Sequence, residues 1–76
     1  MDRSISVIAQ EITATWKNVW FGAVPYLDAM KSLDTIEDNY GLDSGKSIVS
    51  YFLANAQTWR GETARRIKKE LKQMCK

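Results

Sequence analysis

The stretch GLDSGKSIVSYFLANAQTWRGETARRIKKEL, Gly41–Leu71, decides the fold. It contains two helix starts and no alternation of strand type. Asp43 or Ser44 is placed to cap a helix whose apolar residues Ile48, Val49, Phe52, Leu53 and Ala56 share one face. Asn55–Thr58 reads as a corner, with Thr58 capping a last helix and Glu62 near its positive end. In that helix Ala64, Ile67, Leu71 and Met74 point one way, with Trp59 at the edge. Arg65, Lys68, Lys69, Lys72 and Lys76 occupy an opposite arc of about 100°. Arg60 falls on the apolar side of the same wheel. A buried arginine needs a partner, so Arg60 is expected to be a buried, paired cation.

Upstream, Ile5, Ile8, Ile12, Trp16, Val19 and Ala23 recur at spacings of three and four, the stripe of an amphipathic helix. Asp2, Ser4 or Ser6 can cap its start. Gly22 and Pro25 then bend or break the chain, and Pro25 suits the first turn of a second helix. From there Leu27, Met30, Leu33, Ile36 and Tyr40 keep helical spacing. Gly41 supplies a left-handed end. Asp34, Glu37 and Asp38 near that end oppose the helix dipole, so a frayed last turn or cationic partners are expected. The reading is an all-α protein, a compact bundle of four helices over about 4–22, 25–40, 44–56 and 58–75, in a single domain 1–76.

Composition narrows the chemistry. The 76 residues hold one cysteine, Cys75, and no histidine. No internal disulfide can form, and the commonest general base and metal ligand is missing. No segment approaches the roughly 20 apolar residues of a membrane span, and the first helix does not read as a signal peptide. The expected location is the cytoplasm. Charge is uneven: residues 1–58 carry four Lys/Arg against seven Asp/Glu, whereas residues 59–76 carry seven against two. Such asymmetry points either to an acidic partner or to internal pairing of the two parts.

Gly41-Leu42-Asp43-Ser44-Gly45-Lys46-Ser47 invites comparison with a phosphate-binding loop. That loop needs four residues between its glycines to wrap N–H groups around the phosphates. Here there are three, and Tyr40 stands where the first glycine belongs. The segment reads as helix punctuation, with Gly45 tolerating a tight entry. No nucleophile stands beside a base, and Cys75 reads as a terminal thiol without a role. No catalytic residue, cofactor or metal is expected, and the chain is not read as an enzyme.

Two surfaces remain as candidates. Arg65, Arg66, Lys68, Lys69 and Lys72 form a basic face able to meet nucleic acid or an acidic partner. A helix-turn-helix would use the 55–58 corner, although the usual glycine of that turn is absent. Trp20, Phe21 and Tyr51 do not fit the core stripes, and they are the candidates for an aromatic contact patch.

The runs Pro25–Met30, Asp43–Val49 and Trp59–Glu62 resemble those of short uncharacterised proteins from Firmicutes bacteria and their phages or prophages. The resemblance covers residues 25–72. It implies no activity, but it does imply an accessory protein that binds a host or phage macromolecule. The expected function is therefore that of a small, non-enzymatic helical interaction protein that binds a protein partner or itself. The alternative is a nucleic-acid-binding module using the basic face of the last helix.

Overall fold

The computed structural model describes residues 3–75, so Asp2 as a cap and Lys76 on the basic arc lie outside it. Among the described residues there are four α-helices: α1 (Ile5–Thr15), α2 (Val24–Met30), α3 (Gly45–Ala54) and α4 (Glu62–Met74). A 3₁₀ turn, Phe21–Ala23, leads into α2. Two short strands, β1 (Asn39–Tyr40) and β2 (Asp43–Ser44), form an antiparallel hairpin before α3. The protein is thus mostly helical but not an all-α bundle, and three of the expected helix boundaries need correction.

The first helix stops at Thr15 rather than running to residue 22. Trp16 leaves the helix in an extended conformation. That conformation lets its indole stack on Trp59, with ring centroids 5.5 Å apart and planes within 12°. Thr13 and Thr15 turn their hydroxyls back to the carbonyls of Ala9 and Glu11, which suits a helix about to end. At the other end Ser4 is the cap, accepting from the Val7 amide at 3.2 Å.

The second helix ends at Met30 rather than at residue 40. Leu33 is buried and Ile36 half-buried, as their spacing promised, but the backbone between them is turned. Two networks compete successfully with the helix. The carbonyls of Leu33 and Asp34 accept from the amides of Ser6 and Ile5, so this segment closes the exposed N–H groups at the start of α1. The Asp38 carboxylate accepts from the amides of Asp34 and Thr35 at 2.9 and 3.2 Å. Those bonds hold its carboxyl below the usual range. The acidic residues expected to fray a helix end therefore organise a turn instead.

Gly41 has a positive φ of 63°, as foreseen, but in the two-residue loop of the hairpin rather than behind a helix. Ser44 caps α3 by accepting from the Ser47 amide at 3.1 Å. The last helix begins at Glu62, not at residue 58, and Gly61, with φ 112°, precedes it in place of a Thr58 cap. The connection from α3 to α4 is therefore longer than the corner a helix-turn-helix uses.

The core is one cluster. Ile5, Ile8 and Ile12 of α1, Leu27 and Met30 of α2, Val49 and Phe52 of α3, and Ile67 and Leu71 of α4 are buried together. Trp16, Phe52 and Trp59 join as three mutually packed rings, with Phe52 T-shaped to both indoles. Trp59, expected at the edge, is buried.

Candidate functional site

The six described cations of the C-terminal part do not act alike. Arg3, beside the first turn of α1, donates from Nε and a terminal nitrogen to the two oxygens of Glu70, at 3.0 and 2.7 Å. Its other terminal nitrogen reaches Glu11 at 2.8 Å. Arg66 donates to the second Glu11 oxygen. Two arginines and two glutamates thus tie α1 to α4 in one ionic network, and the fork geometry of Arg3 makes the Glu70 pair bidentate. Arg66 is spent on this network, which separates it from the other candidates of the basic face.

The network fixes the sign of an acid response. Arg66 first and then Arg3 hold the Glu11 carboxyl below the usual glutamate range, and Arg3 does the same for Glu70. A depressed folded-state value means that the stabilisation is complete above the unfolded value of about 4.3 and is lost as pH falls through the folded one. Asp38 adds in the same direction. The melting temperature is expected to fall as pH drops below about 5. A Glu11→Gln/Glu70→Gln variant should melt lower at pH 7 and respond less to acid. A variant with the wild-type acid slope would show that the network does not couple to folding.

Arg65, Lys68, Lys69 and Lys72 lie together. With Gln73 they line a shallow groove along the outer face of α4. Arg65, Lys69 and Lys72 are exposed. Lys68 is half-buried. Its ammonium donates to the Trp59 carbonyl at 2.6 Å and sits 5.9 Å from the Trp59 ring centroid, within cation–π range. Burial, with repulsion from Lys72 and Arg60, depresses its pKa. Arg60 is exposed rather than buried and paired. The wheel failed there because the helix begins two residues later, so Arg60 is not on it. It extends the basic surface instead, beside a second groove lined by Lys17, Asn18, Thr58 and Trp59.

Internal pairing does not absorb the charge. Among the described residues, the acids of 28–43 form a single salt bridge, the Asp28–Lys31 pair, and none with α4.

The aromatic candidates are all solvent-facing: Trp20 is 44%, Phe21 74% and Tyr51 51% exposed. Trp20 and Phe21 pack on each other at 4.2 Å between centroids. Tyr51 packs on the half-buried Tyr26 at 5.4 Å. The turn that carries the first pair meets the end of α3, the helix that carries Tyr51. Gly22 lies against the Asn55 side chain, and the Asn55 amide donates to the Tyr51 carbonyl at 2.9 Å. A groove lined by Trp20, Ala54, Asn55, Gln57 and Thr58 opens next to the protruding Phe21. Val24, one turn from Phe21, is also exposed. The ring positions were legible as misfits of the core stripes. The groove was not, because it depends on the turn at residues 20–22 meeting the end of α3.

Among the described residues no group of three or more His, Cys, Asp or Glu side chains is placed to hold a metal ion. No described helix is long and apolar enough to cross a membrane. Cys75 is a free, half-buried thiol at the end of α4. The chain matches no family model, no curated protein and no solved structure.

Proposed function

We propose that this is a small non-enzymatic binding protein that docks on another protein chain through the uncharged surface of Trp20, Phe21, Val24 and Tyr51. The observation that carries this reading is Phe21, a ring 74% exposed and braced by Trp20. Holding a large apolar ring in water is unfavourable, and burying it in a partner recovers about 25 cal/mol per Å². Aromatic side chains, phenylalanine among them, are enriched at protein interfaces relative to the rest of the surface. The occupant favoured by the surface itself is a second copy of the chain. A two-fold interface must be self-complementary, and here the projecting Phe21 packs on Trp20, which lines a groove whose residues carry no formal charge to repel a twin.

Light scattering over a range from about 5 to 500 μM tests the proposal directly. A concentration-dependent dimer is expected, and Phe21→Ala should weaken it by roughly tenfold or more, the effect of losing a hot-spot residue. The melting temperature of the variant should change little, since Phe21 is outside the core. A chain that stays monomeric throughout the range overturns the second copy as occupant.

A further inference from the structure

We propose that the outer face of α4 is a docking surface for duplex nucleic acid, with Arg65, Lys68, Lys69 and Lys72 as phosphate contacts and Arg60 extending the row. This reading is independent of the aromatic surface and shares no residue with it. The first support is that this charge is left over. Glu11 and Glu70 are consumed by Arg3 and Arg66, Glu62 in the first turn of α4 forms no salt bridge, and no carboxylate pairs with the remaining α4 cations among the described residues. The second support is alignment. Residues 65, 68, 69 and 72 follow helical spacing of three and four, so their side chains form one row. The groove between them is lined by those four residues and Gln73. The third is preorganisation: the Trp59 carbonyl and ring hold the Lys68 ammonium in place beside Lys72 and Arg60, where an anion would relieve the mutual repulsion.

Charge and lining select the occupant. Four cations in a row complement a polyanion of regular spacing. No ring lines the groove on α4. Single-strand binding uses exposed rings on which bases stack, whereas backbone contacts to a duplex need only fixed cations. The duplex is therefore favoured over a single strand. The surface predicts binding without sequence preference, because phosphate contacts carry no sequence information.

The test is fluorescence anisotropy with a labelled 20-base-pair DNA of mixed sequence, titrated with the full chain between 50 and 200 mM salt. Four phosphate contacts give a slope of log K against log salt of about −3.6, or roughly a 10²-fold loss over that range. The Lys69→Gln/Lys72→Gln variant should reduce the magnitude of the slope by about 2. It touches exposed residues only, so its circular dichroism should match the wild type. Arg66→Gln serves as the contrast: it should lower the melting temperature through loss of the Glu11 pair and leave the slope unchanged. No binding at 50 mM salt overturns the proposal. So does a slope that the lysine pair does not alter. Tighter binding of the single-stranded 20-mer, or of poly-glutamate, overturns the duplex as occupant in favour of a single strand or an acidic protein.

Discussion

Phe52→Ala is expected to abolish the cooperative fold, or to leave it melting only a little above room temperature. Phe52 is fully buried, and its ring packs T-shaped against both indoles of the stacked Trp16–Trp59 pair, at 6.2 and 6.4 Å between centroids. Those rings come from three places: the exit of α1, the last turn of α3 and the connection into α4. Truncation therefore removes a contact shared by three segments. A Phe→Ala change in a core costs about 3–5 kcal/mol, the transfer of the ring plus the cavity it leaves. A small domain of this size rarely has more than about 3–5 kcal/mol in total. Loss and reserve are of the same size, so little or no stability remains at room temperature. Thermal circular dichroism measures the outcome, and tryptophan emission provides a local check, since Trp16 and Trp59 should shift to longer wavelength as they become wet. Phe52→Leu, which keeps most of the volume, should retain a cooperative melt. With about 4–8 °C per kcal/mol for domains of this length, a fall of less than about 10 °C in Phe52→Ala would show that the three-ring cluster is not the centre of the core.

Much of that core was legible from spacing alone. Ile5, Ile8, Ile12 and Trp16 are buried as their periodicity implied, and so are Ile48, Val49, Phe52, Ala64, Ile67 and Leu71. Apolar spacing reports which residues face inward, and burial is what it predicted correctly. It does not report the backbone path. Leu33 and Ile36 sit at helical intervals from Met30, yet the chain between them is a turn, because Asp38, Thr35 and the amides of α1 offer better hydrogen-bond partners than another helical turn. That segment is rich in Ser, Asp, Thr and Asn, and this composition was the available signal. Gly61 was another: a glycine with positive φ marks where α4 begins and removes Arg60 from the wheel on which it looked buried. The division of the cations could not be read from the sequence at all. Arg66 and Lys69 are equivalent as letters, and only the position of α1 decides that Arg66 meets Glu11 while Lys69 meets water.

The turn at residues 35–38 also makes Gly45 the position where the smallest substitution should have a large effect. Gly45 is the first residue of α3, and a methyl group there normally favours a helix by roughly 0.5–1 kcal/mol. Here the added Cβ would stand 2.9 Å from the Ile36 carbonyl oxygen and 3.0 Å from those of Thr35 and Asp38. All three are backbone atoms. The Asp38 carbonyl already accepts from the Gly45 amide at 2.6 Å, and the Asp38 side chain holds the turn from within. The carbonyls cannot swing away singly. Either the turn opens, releasing those bonds and its closure of the α1 start, or α3 shifts against the core. Overpacking of this kind costs about 1–3 kcal/mol, more than the propensity gain, so the net sign is destabilising. Gly45→Ala should lower the melting temperature by about 5–15 °C at the usual 4–8 °C per kcal/mol, and hydrogen exchange at Ile5 and Ser6 should accelerate, because their acceptors belong to the displaced turn. Gly22→Ala gives the comparison. Its Cβ would collide with the Trp20 and Asn55 side chains rather than with backbone. Trp20 lies outside the core and is 44% exposed, so a shift of its ring costs less than a shift of backbone and Gly22→Ala should cost less stability than Gly45→Ala. Equal melting temperatures for wild type and Gly45→Ala would mean that the turn yields freely and does not hold the start of α3 against that of α1.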